Sequence, residues 1–167
     1  SSVEALDGAG WSRLQALPSD RAHLSLVPVA GGVLAVGGLT DEDTTEDALL
    51  LSTETGLWTA QAPLSEPRMM TCVAGLPDGG CVVAGGFNNG VLSTVEQWTP
   101  GPNGGSWTHL RDLPALRYGA GAAVLGTGRD TEVVVLGGVD FSDRTTNTVF
   151  ALNLNTNRWR TPPPMLC

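Results

Sequence analysis

The sequence predicts an all-β fold, a β-propeller of four-stranded blades, and three features that recur in one phase predict it. Three Gly-Gly doublets, Gly37-Gly38, Gly85-Gly86 and Gly137-Gly138, each end a short apolar run. A tryptophan follows the second glycine of each by 20 or 21 residues, at Trp58, Trp107 and Trp159. An arginine follows a tryptophan by ten residues three times, as Trp11 to Arg21, Trp58 to Arg68 and Trp107 to Arg117. The doublets recur after 48 and then 52 residues. A period of about 50 residues built from short strands is the signature of one blade per repeat.

Taken along the chain, residues 1–10 read as a polar N-terminal lead without a strand pattern, and the propeller segment covers 11–167. Residues 11–17 read as an orphan fourth strand, because they carry Trp11 but no preceding doublet. Three blades follow, over 21–64, 68–114 and 117–165. In the middle blade the first strand is predicted over 69–76, a turn at Pro77-Asp78-Gly79-Gly80, the second strand over 81–85, the third over 93–99 and the fourth over 106–110. Asp-Gly-Gly between two apolar runs supplies the glycines a tight hairpin requires, and this register would set Cys72 opposite Gly85. The second-strand runs Val33-Leu34-Ala35-Val36, Cys81-Val82-Val83-Ala84 and Val133-Val134-Val135-Leu136 are apolar at every position. Strands covered on both faces have that pattern, as blades stacked around an axis would be. Each doublet ends its strand where backbone must approach closely or φ must be positive. The tryptophans are expected to wedge between blades. No stretch shows capped helical periodicity, so almost no helix is expected.

The chain resembles the kelch family, whose repeats carry an arginine opening the first strand, Gly-Gly ending the second, a Val-Glu-x-Tyr-Asp-Pro type third strand and a tryptophan opening the fourth. Val95-Glu96-Gln97-Trp98-Thr99-Pro100 is close to that third strand, and Asn153-Leu154-Asn155-Thr156-Asn157-Arg158-Trp159 to the loop and tryptophan after it. The likeness runs from Trp11 to Met165. It implies a protein-interaction module, a scaffold or adaptor without chemistry of its own, that binds a protein or peptide through loops gathered on one propeller face. Carried over by motif, it implies Arg21, Arg68 and Arg117 near that face, beside Asp41 and Asp43, Asn88 and Asn89, and Asp140 and Asp143 of the intervening loops. A ring of arginine forks would suit an acidic peptide. Equally, each arginine could serve its own blade's backbone or acids, with Asp20 and Glu66 close in sequence.

Propellers close with four to eight blades, and three make an arc. Either further blades lie outside this sequence, or two copies form a six-bladed homodimeric ring. With 9 basic and 17 acidic residues and a net charge of −8, the chain should repel phosphate backbones, which argues against a nucleic-acid partner. No apolar run approaches a membrane span. Three cysteines are too few for a secreted disulfide framework, so Cys72 and Cys81 are expected reduced and buried and Cys167 free; this usage favours an intracellular setting but leaves the compartment open.

Enzymes exist in the wider galactose oxidase-like propeller superfamily, and a sugar-processing or metal-dependent activity is the rival reading, with a purely architectural subunit as a third. Copper-radical oxidases need several tyrosine and histidine ligands, whereas Tyr118 is the single tyrosine and His23 and His109 are the two histidines. The Glu-x-x-x-Asp-x-x-x-His run of the iron-dependent specifier proteins is absent, as is a Gly-x-Ser-x-Gly elbow. No catalytic residue, metal or cofactor is therefore assigned. Asp41-Glu42-Asp43-Thr44-Thr45-Glu46-Asp47 crowds five carboxylates into seven residues without an EF-hand's glycine and terminal glutamate, and reads as a solvated loop able to draw a basic partner.

Overall fold

The computed structural model describes residues 2–166, which form four antiparallel sheets. A two-stranded hairpin, β1 (Val3–Asp7) and β2 (Gly10–Leu14), precedes three four-stranded blades. Blade 1 runs β3 (Ser25–Val29), β4 (Gly32–Val36), β5 (Ala48–Ser52) and β6 (Trp58–Ala60). Blade 2 runs β7 (Cys72–Gly75), β8 (Cys81–Ala84), β9 (Val95–Thr99) and β10 (Ser106–Leu110). Blade 3 runs β11 (Gly121–Leu125), β12 (Glu132–Leu136), β13 (Val149–Asn153) and β14 (Arg158–Arg160). Each blade pairs its strands in simple sequence order. The helical content among the described residues is one 3₁₀ turn, Gly128–Asp130.

The second strands run unbroken in apolar residues because alternate side chains enter different cores. From β8, Cys81 and Val83 pack with Val27, Leu34 and Val36 of blade 1, while Val82 and Ala84 pack with Val133, Val135, Phe150 and Leu152 of blade 3. Trp98 of β9, 1% exposed, fills the first of these cores. First strands meet in succession, β3 with β7 and β7 with β11, and so stand nearest the axis.

Residues 1–10 were expected to lack a strand, yet β1 lies there and pairs with β2 along its whole length. Val3-Glu4 repeats the Val-Glu opening of β9, a sign that short polar flanks hide. The orphan strand expected over 11–17 begins at Gly10 and ends at Leu14, and this hairpin supplies a third and a fourth strand like those of a blade. In the middle blade the first strand is shorter than 69–76, because Met70 has φ 50 and separates β7 from the isolated bridge between Met69 and Phe87. The hairpin at Pro77–Gly80 closes with Leu76 N–H on Gly80 C=O and the Asp78 carboxylate on Gly80 N–H. Cys72 therefore faces Ala84, one residue from the predicted Gly85. Both described thiols are free and buried, and burial pushes each up to about 12. Cys167 lies outside the described residues.

The doublets join the blades. Gly38 N–H donates to Arg68 C=O at 2.9 Å, and Gly86 N–H to Arg117 C=O at 2.7 Å. Gly85, at φ +62, lies so close beneath the Arg117 carbonyl that a Cβ would collide with it. The tryptophans tie blades from the other side. Indole N–H groups of Trp58, Trp107 and Trp159 donate to the carbonyls of Gln15, Ala62 and Arg111 in the preceding segment.

Candidate interaction face

Each second-to-third-strand loop starts from the same double bridge. Leu39 pairs with Ala22 and Thr44, Phe87 with Met69 and Val91, and Val139 with Tyr118 and Thr145. These bridges place the three loops in equivalent positions on neighbouring blades, and the loops touch. Thr44 Oγ1 donates to Asn88 Oδ1 at 2.8 Å, while the rings of Phe87 and Tyr118 meet edge to face at 5.8 Å. Tyr118 then donates its hydroxyl to Asp143 Oδ1 at 2.8 Å, carrying the surface onto the loop of blade 3.

Two of these loops are stiffened by their own aspartates. Asp140 Oδ1 accepts the backbone N–H groups of Ser142 and Arg144, bonds that hold its carboxyl below the usual carboxylate range. Phe141, inside that tied turn, is 75% exposed. Asp43 Oδ1 accepts Thr44 N–H at 2.7 Å, and Thr40 Oγ1 donates to the Asp43 carbonyl. Asn89 takes φ 52 at the tip of the middle loop, with Asn88 N–H bonded to Gly90 C=O. Asp41, Asp43, Asn89 and Asp143 are exposed, and Asn88 and Asp140 partly so.

The three arginines expected on this face turn inward instead. Arg68 is fully buried, its guanidinium 2.8 Å from Glu96 and 3.2 Å from Glu66, and it also donates to the carbonyls of Gly85 and Thr94. Burial lowers its pKa against the pull of those carboxylates. Arg117, 6% exposed, donates to Thr148 Oγ1 and lies 5.4 Å over the Phe150 ring. The Arg21 side chain is 2% exposed and bonds Asp47 at 2.6 Å. All three brace the start of the third strand in their own blade, because a strand-opening arginine reaches the doublet and the strand beyond it before it reaches solvent. Sequence reasoning also missed Glu96 as the buried counter-ion, although the Val-Glu pair was in view.

Arg68, Cys72 and Cys81 are shifted by burial in the core, while the shifted Arg117, Tyr118 and Asp140 neighbour one another at the loop of blade 3. His23 stands before an axial strand and His109 on the outermost strand of blade 2 beside Asp112. Among the described residues no three His, Cys, Asp or Glu side chains cluster as metal ligands do.

The sequence model of the kelch motif matches residues 116–166, which is blade 3. Kelch-like protein 36 of Rattus norvegicus is 30% identical over 114 residues, 65% of this chain and 18% of that protein. Its Mus musculus counterpart matches to the same extent. Kelch-like protein 34 of Homo sapiens is 27% identical over 158 residues, 89% of this chain and 23% of that protein. The chain thus spans less than a quarter of the length of these curated relatives. The repeat phase, the blades it builds and these matches agree in supporting a kelch-repeat family for this chain.

Proposed function

We propose that this chain is a protein-interaction module, a scaffold or adaptor segment that binds a protein or peptide through its second-to-third-strand loops and catalyses nothing. The continuity of those loops supports the reading above all. Thr44 with Asn88, Phe87 with Tyr118, and Tyr118 with Asp143 join the three loops into one surface of mixed polarity, and the surface carries the exposed Phe141. Interfaces gain most from an aromatic anchor surrounded by polar groups, which is the chemistry of this surface. Asp41, Asp43, Asn88, Asn89, Asp140 and Asp143 are the contacts proposed, and the arginines act from beneath by holding the blades that carry them.

A displayed peptide library selected on this chain tests the proposal. Selected binders should be lost when Asn88→Ala and Phe141→Ala are combined, and kept when Gln97→Ala is placed on a third strand away from the loops. Binders indifferent to the loop changes would overturn it.

A further inference from the structure

We infer that the loop face takes a cationic peptide, an inference that rests on the reading of that face just given and adds the charge of its partner. An acidic peptide would need outward-facing guanidinium groups. Arg68 and Arg117 are buried, and the Arg21 side chain is 2% exposed and spent on Asp47. What the loops turn outward is Phe141, carboxylates and neutral polar groups, with Arg144 as the one cation. Phe141 stands in solvent on a turn tied by four backbone and side-chain hydrogen bonds, and its ring is presented without further ordering cost. Beside blade 1 a cleft of about 330 Å³ is lined by Ser19, Asp20, Thr40, Asp41 and Glu42. Asp43 and Asp143 add to the same sign, and Arg144 is the exposed cation of these loops.

A lysine or arginine side chain answers each part of this surface. One cationic head meets the carboxylates of the cleft on blade 1, and the head or alkyl stem of a second lies on the Phe141 ring of blade 3. The chain's charge of −8 steers such a peptide toward it and repels an acidic one.

Fluorescence anisotropy with a labelled Arg-Gly-Leu repeat peptide and its Glu-Gly-Leu counterpart decides the matter. The basic peptide should bind at least about tenfold tighter than the acidic one, and should lose about tenfold or more between roughly 0.05 and 0.5 M salt. Asp41→Asn combined with Glu42→Gln should weaken it about fivefold, and Phe141→Ala about tenfold, with the thermal unfolding midpoint unchanged. The inference is overturned by equal or tighter binding of the acidic peptide, by failure of the basic one to bind, or by unchanged affinity after the carboxylates are neutralised. Acidic binding that Phe141→Ala abolishes would sink the charge assignment and leave the loop face standing. Binding that no loop variant alters would sink both.

Discussion

Arg21, Arg68 and Arg117 occupy one repeat position, and each blade gives that guanidinium a different partner. Blade 2 answers with Glu96, which is 2% exposed and also accepts Ser65 N–H. Blade 3 places Phe150 at the equivalent strand position, and blade 1 uses Asp47 at the loop's end. Removing one partner of a buried pair leaves an uncompensated charge, at a cost of about 3–5 kcal/mol. Because Glu66 stays beside Arg68, Glu96→Ala should lower unfolding free energy by about 3 kcal/mol, the bottom of that range, in urea titration. A loss below about half a kcal/mol would show that the pair contributes specificity and not stability. Tyr118 gives a second residue-scale prediction, since it is the chain's single tyrosine. Its hydrogen bond to Asp143 is the chief cause of a raised phenol pKa. The folded chain then holds that proton more tightly than the unfolded chain, so the contribution is full below pH ~10 and lost as pH rises through the folded value. Ultraviolet difference absorbance should show ionisation above the free-tyrosine range, and Asp143→Ala should move it back down.

At the scale of the element, a second strand works because both of its faces are covered. Trp98 adds the largest side chain to the core between blades 1 and 2, and Trp98→Ala should cost about 3–5 kcal/mol by opening a cavity there. Gly86→Val should also unfold the chain at lower denaturant. It forces a β-branched residue to φ +114, with its Cβ 2.9 Å from the Met69 carbonyl. Equilibrium unfolding of both variants checks this, and an unchanged midpoint for Gly86→Val would mean that the doublet does not hold the blades together. These elements were legible in the sequence because the markers that space them, glycine pairs, tryptophans and Asp-Gly-Gly, each answer a local steric demand. β10 begins and ends where predicted for that reason. Val3–Asp7 escaped because it carries no doublet and no apolar run, only Val3-Glu4. The arginines were placed correctly in the chain and misplaced in space. Periodicity reports where a side chain starts, and its direction depends on acids, such as Glu96, that lie across the sheet.

Whole-molecule behaviour turns on two edges that match each other. Inside the arc, Met70 N–H bonds His23 C=O and Gly119 N–H bonds Met70 C=O, so each junction repeats one backbone link in addition to the doublet link. Gly119 C=O and Gly138 N–H at the end of blade 3 have no such link among the described residues, and the complementary groups, Arg21 C=O and His23 N–H, stand at the start of blade 1. Side chains tell the same story. Leu64, Leu113 and Met165 occupy one position, each donating its N–H to the carbonyl at the head of a third strand, at Glu46, Ser93 and Asn147. With a following blade, Leu64 and Leu113 are 4% and 5% exposed, whereas Met165 is 39% exposed and Leu26 at the opposite edge 58%. We propose that a further blade covers these edges, either from a longer polypeptide or from a second copy. The isolated 167-residue chain should therefore associate at micromolar concentration through an apolar interface above about 1,000 Å². Sedimentation should give a mass above 17.3 kDa that Met165→Asp returns to the monomer value without changing the unfolding of the three blades. A well-folded monomer of the unsubstituted chain would show that an open arc of three blades is stable alone.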